Sequence, residues 1–489
     1  MPSKPEPQND AVHSCHARQL FVLKDDHRHP HRFSRVRTSK DSSTNASDLC
    51  QAKKLYIALV VGLSMFNSTL SSSLPGGSSF YVASYFDIVE PQEQILLSTT
   101  YLIGYVVRPL LFAPLSGLFF TMSLACIFSP SYAALLVFRS LAGMGGSAPI
   151  SIIGGVYADI YPNHSSRGTA TAAYTMGTTL GTVLGPTIFG FVAYSDWRIS
   201  FVLTTTLAAI ALVGIIFLPE TYAPVLERSR MNKARCSKSC RALVSDTDQD
   251  TRSLGAILLK AVKRPPKLFS TEAIVFFSSL YCALVFGILF VFFAAYPYIF
   301  RTVYGMDHRT AGLSFLPIGV GTILSMPLCM AYDVFRENCK RRGRQWATRE
   351  EYRRLPLACI GGVLLVASLF WLGWTSSRSF HWIIPMMSGL PYGIAFNLIL
   401  IALFNYLTDS YGIYSASALA AASCTRSILG AILPLAQNTM YTNLGIGWAT
   451  SILGFAAVML LPVPFAFIAF GPGIRQRSPF CQASQQHAR

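Results

Sequence analysis

Acidic residues are scarce in this chain. Asp and Glu number 23 among 489 residues, against 40 Lys and Arg, and the long apolar stretches are almost free of them. A group that carries protons through a membrane is normally a carboxylate whose pKa can move, so the candidates are few. A glycine loop ending in lysine is also missing, which excludes direct use of ATP. No serine or histidine sits in a nucleophile motif, which argues against an enzyme. The 11 cysteines show neither CxxC pairs nor zinc spacing, so buried free thiols are expected, and neither a metal nor a cofactor. Cys236 and Cys240 fall in a basic stretch expected to be cytosolic, where a disulfide does not normally persist. Residues 1–54 lack the apolar core of a signal peptide. They are polar and rich in Ser, His and Arg, and read as a disordered cytosolic tail. The cluster from Asp25 to His31 would hold a metal only with a fixed surrounding shell, which such a tail does not supply.

What is present is apolar surface. Hydrophobic residues make up 52% of the chain and charged ones 13%, and the mean hydropathy is positive. That composition belongs to an all-α polytopic membrane protein. A net charge of +17 raises the question of a nucleic-acid partner, and its distribution answers it. Of the 40 basic residues, 32 lie in 1–54, 219–270, 333–354 and 471–489. Basic residues gathered in tails and alternate loops are the positive-inside pattern, which places both termini in the cytosol. Such runs meet anionic membrane lipid rather than nucleic acid.

Apolar spans are expected at 55–74, 94–116, 118–129, 132–157, 168–194 and 197–218, then at 270–296, 310–332, 355–374, 381–403, 414–438 and 448–470. The domain plan is therefore a tail (1–54), a six-span bundle (55–218), a basic cytosolic central loop (219–269), a second six-span bundle (270–470) and a cytosolic tail (471–489). Two six-span halves imply a repeat-built transporter with its site between them. The third span is abnormally short. Its 12 residues extend about 18 Å, against a hydrocarbon core of about 30 Å.

One stretch, Ser166 to Arg198, is crowded with glycine, alanine and threonine. Small residues waste a lipid-facing surface but let a neighbouring helix approach closely. Pro186 cannot donate a backbone hydrogen bond, so a bend is expected there, with Gly181, Gly185 and Gly190 leaving room for it.

Several blocks resemble the major facilitator superfamily, and within it the fungal twelve-span drug:proton antiporters that export drugs, polyamines and secondary metabolites. Phe66 to Pro75 is similar to the start of that family. Arg139-Ser140-Leu141-Ala142-Gly143 resembles its fourth-span arginine motif, and Gly181 to Gly190 its fifth-span antiporter motif. Pro219 to Tyr222, Tyr414 to Ala421, Arg426-Ser427 and Met440 to Gly445 continue the pattern. The likeness runs from about Leu55 to Phe480. It implies two six-helix bundles, proton-coupled efflux of a small organic compound, a monomer, and the plasma membrane, with the vacuolar membrane as the alternative. The chain departs from the pattern after Pro114-Leu115-Ser116, where the family's glycine and arginine loop motif is absent. Thr182 stands where a second proline is usual, Phe189 where a glycine is, and Arg108 where another glycine is. The competing expectation is a non-transporting protein that has lost the motif between spans two and three.

The candidate site residues follow from polarity inside spans. Arg139 is a charge at membrane depth, which costs about 3 kcal/mol on insertion scales and so has a partner or a purpose. The resemblance implies proton coupling for it, and the alternative is a structural arginine satisfied by carbonyls. Glu272, opening the seventh span, is the best remaining proton carrier. Asn67, Asn397 and Arg426 are candidate cavity residues, with interhelical hydrogen bonding as the equal alternative for the asparagines. The seventh span is dense in aromatics, of which Tyr281 and Phe290 are assigned to a pocket for an apolar substrate. The scarcity of acids argues for a neutral or anionic substrate.

Overall fold

The computed structural model describes residues 51–107, 115–147, 164–218 and 254–482. Nearly all of the expected N-terminal tail with its histidine cluster, most of the central loop with Cys236 and Cys240, Arg108 and the end of the fourth span lie outside them. Helices alone make up the regular structure of the described residues. In chain order they are α1 (Gln51–Ser73), α2 (Pro75–Tyr85), α3 (Pro91–Val107), α4 (Leu115–Ile127), α5 (Tyr132–Gly146), α6 (His164–Val192) and α7 (Trp197–Ile216). There follow α8 (Leu254–Thr271), α9 (Ala273–Thr302), α10 (His308–Ala311), α11 (Leu316–Arg341), α12 (Leu355–Thr375), α13 (Ile383–Met387), α14 (Gly389–Tyr411), α15 (Ser415–Leu460) and α16 (Pro462–Arg477). Seven helical stretches among the described residues are long and apolar enough to cross a membrane.

Local chemistry sets many of the ends. Asp196 caps α7 by accepting the Arg198 amide at 2.9 Å, and Ser131 caps α5 by accepting that of Ala134 at 3.3 Å, each satisfying a donor the helix cannot. Proline opens α2, α12 and α16, where its missing N–H costs nothing. α1 buries a polar run, Asn67 to Ser73. Its hydroxyls stay satisfied by donating one turn back, Ser72 to the Thr69 carbonyl at 2.7 Å and Ser73 to that of Leu70 at 3.1 Å, as a helix in lipid requires.

α9 is apolar on every side, and such a helix belongs in a core rather than at its edge. Tyr281, Val285, Ile288, Ala295 and Tyr296 are fully buried, and α15 and α14 pack against it. Gly445, at φ 77°, breaks α15. Only glycine takes that conformation without strain, and the break separates the expected eleventh and twelfth spans. α3 packs on α15, and α6 on α11, so early and late parts of the chain meet along two seams.

The structure alters the expected boundaries. α2 was not anticipated. α8 occupies the end of the stretch expected to be loop (219–269), and α1 begins within the last residues of the expected tail. α16 continues into the expected C-terminal tail, where Cys481 is fully buried. The described part of the third span, α4, has 13 residues, about 20 Å of helix at 1.5 Å per residue.

An ionic cluster ties the segment after α11 to the rest. Arg475 pairs with Glu350 and with buried Glu351, Arg354 with Asp333 at 3.2 Å and Arg353 with Asp409 at 3.7 Å.

Candidate functional site

α6 presents two different faces. Thr175, Thr178, Thr179 and Thr182 recur at i, i+3, i+4 and i+7, one side of a helix, and all four line an internal cavity of about 50 Å³. Each hydroxyl donates to a carbonyl one turn earlier at 2.8–2.9 Å. The glycines serve packing. A methyl group on Gly181 would stand 2.5 Å from Thr69 Oγ1, and one on Gly185 3.0 Å from Ser73 Cβ, so both positions let α6 lie against α1. Gly190 faces the segment at His308 to Gly312, with the His308 carbonyl 3.7 Å from its notional methyl. The helix continues through Pro186. The proline ring sits against α2, 2.9 Å from a methyl built on Gly76, while Thr187 donates to the Gly312 carbonyl at 2.8 Å. The proline thus lies where α2, α6 and the later half of the chain converge.

The cavity is closed on its other sides by Thr69 and Ser72 of α1, Tyr105 of α3, Phe286 of α9, Phe404 of α14 and Arg426 of α15. Arg426 is 9% exposed. Its guanidinium carbon lies 4.5 Å from the Phe286 ring centroid and 5.8 Å from that of Phe404, and its Nε has no hydrogen-bond partner among the described residues. Two ring contacts offset about 1–2 kcal/mol each at best. Placing an arginine at membrane depth costs about 2.5–3.5 kcal/mol, and the rings supply no acceptor for its N–H groups. A wider cleft of about 350 Å³ adjoins this region, lined by Gly76, Phe80, Gln94, Phe290, Phe293, Arg301, His308, Gln437 and Asn438 among others. The rings of Phe286, Phe290 and Phe293 follow one another at 4.9 Å spacing, from the small cavity to the cleft.

Arg139 is 1% exposed. It donates to the Ser71 carbonyl at 3.0 Å and Ser71 Oγ at 3.4 Å, and through Nε and Nη2 to the Leu97 carbonyl at 3.4 and 3.3 Å. The Tyr101 ring lies 4.7 Å away. Tyr101 in turn donates to the Ser68 carbonyl at 3.0 Å, and Ser68 is hydrogen bonded to Tyr105, which lines the small cavity. A chain of hydroxyls thus joins the neighbourhood of Arg139 to that cavity.

The other candidates are dispersed. Asn67 donates to the Thr204 carbonyl at 2.9 Å, tying α1 to α7. Asn397 donates to Ser325 Oγ at 2.6 Å and accepts from Thr179 at 3.4 Å, clasping α14, α11 and α6. Tyr281 is fully buried with its hydroxyl unpartnered. None of these three is among the residues lining either cavity, whereas Arg426 lines the small one and Phe290 the cleft. Glu272 is the residue before α9, 4% exposed, and accepts from Tyr411 at 3.0 Å. The threonine face of α6, Tyr105 of α3, Thr69 and Ser72 of α1 and Phe404 of α14 are among the cavity residues that the sequence did not single out. The threonine spacing signals a shared helix face, though not what that face meets.

Asn397→Ala is expected to lower the thermal midpoint of the purified protein by several degrees without changing its oligomeric state. A buried amide that bridges three helices contributes about 1 kcal/mol per bond, and a thermal melt in detergent measures the difference.

Helices from early and late parts of the chain, meeting around a buried, largely apolar cavity that holds threonine hydroxyls and one arginine, and around a wider cleft, define a polytopic membrane transporter. The Major Facilitator Superfamily model matches residues 57–434, and the chain belongs to that superfamily. It is 36% identical over 453 residues to an MFS-type efflux pump of Trichophyton rubrum, covering 89% of this chain and 75% of that one. It is 34% identical over 462 residues to an efflux pump of Gibberella moniliformis, covering 91% of this chain and 77% of the relative. A major facilitator superfamily multidrug transporter of Aspergillus fumigatus is 34% identical, with 90% and 74% covered. In fold the chain is similar to the proton:xylose symporter XylE, with a TM-score of 0.62 at 18% identity over 85% of this chain and 96% of that one. The protein is an integral membrane transporter rather than an enzyme, and a non-transporting product is not the favoured reading.

Proposed function

We propose that the protein exports a small organic compound, a drug, toxin or fungal secondary metabolite, in exchange for protons. The cavity where α1, α3 and α6 meet α9, α14 and α15 is the observation that carries this, since repeat-built transporters bind between their halves. In this reading residues 55–218 and 270–470 are the two moving bundles and 219–269 a cytosolic connection. Both termini are cytosolic, the protein works as a monomer, and its membrane is the plasma membrane, with the vacuolar membrane as the alternative.

Arginine stays protonated at any accessible pH, so Arg139 does not itself carry a proton. Its role in coupling is that of a fixed charge at one end of the Tyr101, Ser68 and Tyr105 chain. Glu272, the buried carboxylate without a cationic partner among the described residues, is the candidate carrier. Gly181, Gly185, Pro186 and Gly190 form the seam along which α6 moves.

Yeast cells expressing the chain should accumulate several-fold less of at least one toxic compound from a diverse panel, and a protonophore should remove the difference. Equal accumulation across the panel would reject the export reading. Export that persists with the protonophore would reject proton coupling alone.

A further inference from the structure

We propose that the exported compound is a singly charged organic acid whose carboxylate is seated on Arg426, with the threonine face of α6 as its second set of partners. The inference rests on the export reading above and adds the chemical class of the substrate.

Three observations carry it. Among the described residues the Nε of buried Arg426 has no acceptor, yet it lines a cavity in whose described lining no other charged side chain appears. A guanidinium held against two phenyl rings keeps its hydrogen-bonding edge free for a planar, bidentate acceptor, and a carboxylate is the group that matches that fork. The neighbouring cleft carries the same sign: Arg301 lines it, and no Asp or Glu does among the described residues, while His308, whose pKa is lowered to about 4 by burial and by Arg301, adds no charge near neutral pH. Asp307 precedes His308 in the chain, but it is not part of that lining.

The remaining surface fits the rest of such a molecule. Phe286, Phe290 and Phe293 offer a continuous aromatic surface to an apolar body, and the threonine hydroxyls can rotate from their own helix to donate to an anion. An amine or polyamine would enter a site whose described lining holds no Asp or Glu and would face Arg426 directly. A doubly charged phosphate ester is disfavoured because, among the described residues, a single cation lines the small cavity.

The experiment uses the purified full-length chain in detergent and compares matched probes that differ in head group: 1-naphthoate, 1-naphthamide and 1-naphthylmethylamine. The carboxylate should raise the thermal midpoint and bind at least tenfold more tightly than the amide, with the amine weakest. Arg426→Gln should abolish the preference for carboxylate over amide, and Arg426→Lys should retain part of it. The unsubstituted protein decides the question even where a variant fails to fold. Equal binding of acid and amide, preference for the amine, or no stabilisation by the acid would each overturn the proposal, as would an unchanged preference in Arg426→Gln. Export from yeast separates this failure from that of the export reading. Cells that expel neutral or cationic compounds but no acid reject the organic acid and leave export standing, whereas cells that expel nothing reject both.

Discussion

Arg139→Ala should abolish export and sharply reduce the amount of folded protein. The side chain makes four hydrogen bonds, all to α1 and α3, while belonging to α5 itself. It therefore joins three helices at a depth where water offers no replacement. Deleting so large a buried group costs about 2–5 kcal/mol through the cavity left behind. The Leu97 and Ser71 carbonyls, stripped of a charged donor, add about 1–3 kcal/mol. Against a total stability of about 5–15 kcal/mol, that is enough to lower the folded yield.

Structural loss and loss of coupling are separable with Arg139→Lys, which keeps the charge but replaces a planar fork with a point charge. If Arg139 serves coupling, the folded Lys variant exchanges substrate across proteoliposomes without a pH gradient, yet responds weakly to an imposed one. If its role is only structural, exchange and proton-driven transport fall together in proportion to folded protein. Unchanged export in Arg139→Ala would end the coupling proposal.

The second large effect is expected at Gly143. A methyl group there would fall on the Tyr101 carbonyl oxygen, with the carbonyl carbon 3.0 Å away, and the neighbouring position Gly104 meets the α5 backbone in the same manner. Both obstacles are backbone, so no side chain can swing aside. Gly143→Leu must push α3 and α5 apart, which also withdraws the Leu97 carbonyl from Arg139. Overpacking of this kind costs about 1–3 kcal/mol or more. The loss of Arg139's contacts should raise the total, so little monodisperse protein is expected in size-exclusion chromatography. Gly177 provides the control. Nothing lies within 4 Å of a methyl built on it, so Gly177→Ala should behave as the unsubstituted protein. Comparable damage from the two substitutions would show that close approach at Gly143 is not what the helix pair depends on.

The close packing of α6 was legible because it rests on a local spacing whose geometric consequence is fixed by the helix itself. Glycines four apart must share a face, and that face proved to be the one against α1. The threonines at 175, 178, 179 and 182 obey the same rule, but a residue that suits both packing and solvation leaves its surroundings open. Asn67 and Asn397 could not be decided from sequence, because a buried amide serves a cavity or a clasp equally well. Their partners, Thr204 and Ser325, lie 137 and 72 residues away in the chain. Tyr281 was misleading in another way: on a helix apolar all round, periodicity does not distinguish the face toward the cleft from the face toward α12.

By itself the sequence determined that this chain lives in a membrane, that it is helical, where most of its helices run and which superfamily it joins. Those properties depend on apolar length against bilayer thickness, on the alternation of basic loops, and on motifs read within one helix. Only the tertiary structure decided which polar residues face a cavity and which ones bind helices together. It also decided that Arg139 is hydrogen bonded to carbonyls while Arg426 Nε has no hydrogen-bond partner among the described residues. The physical reason is that a buried polar group takes its meaning from its partner, and the partner is set by which helices meet.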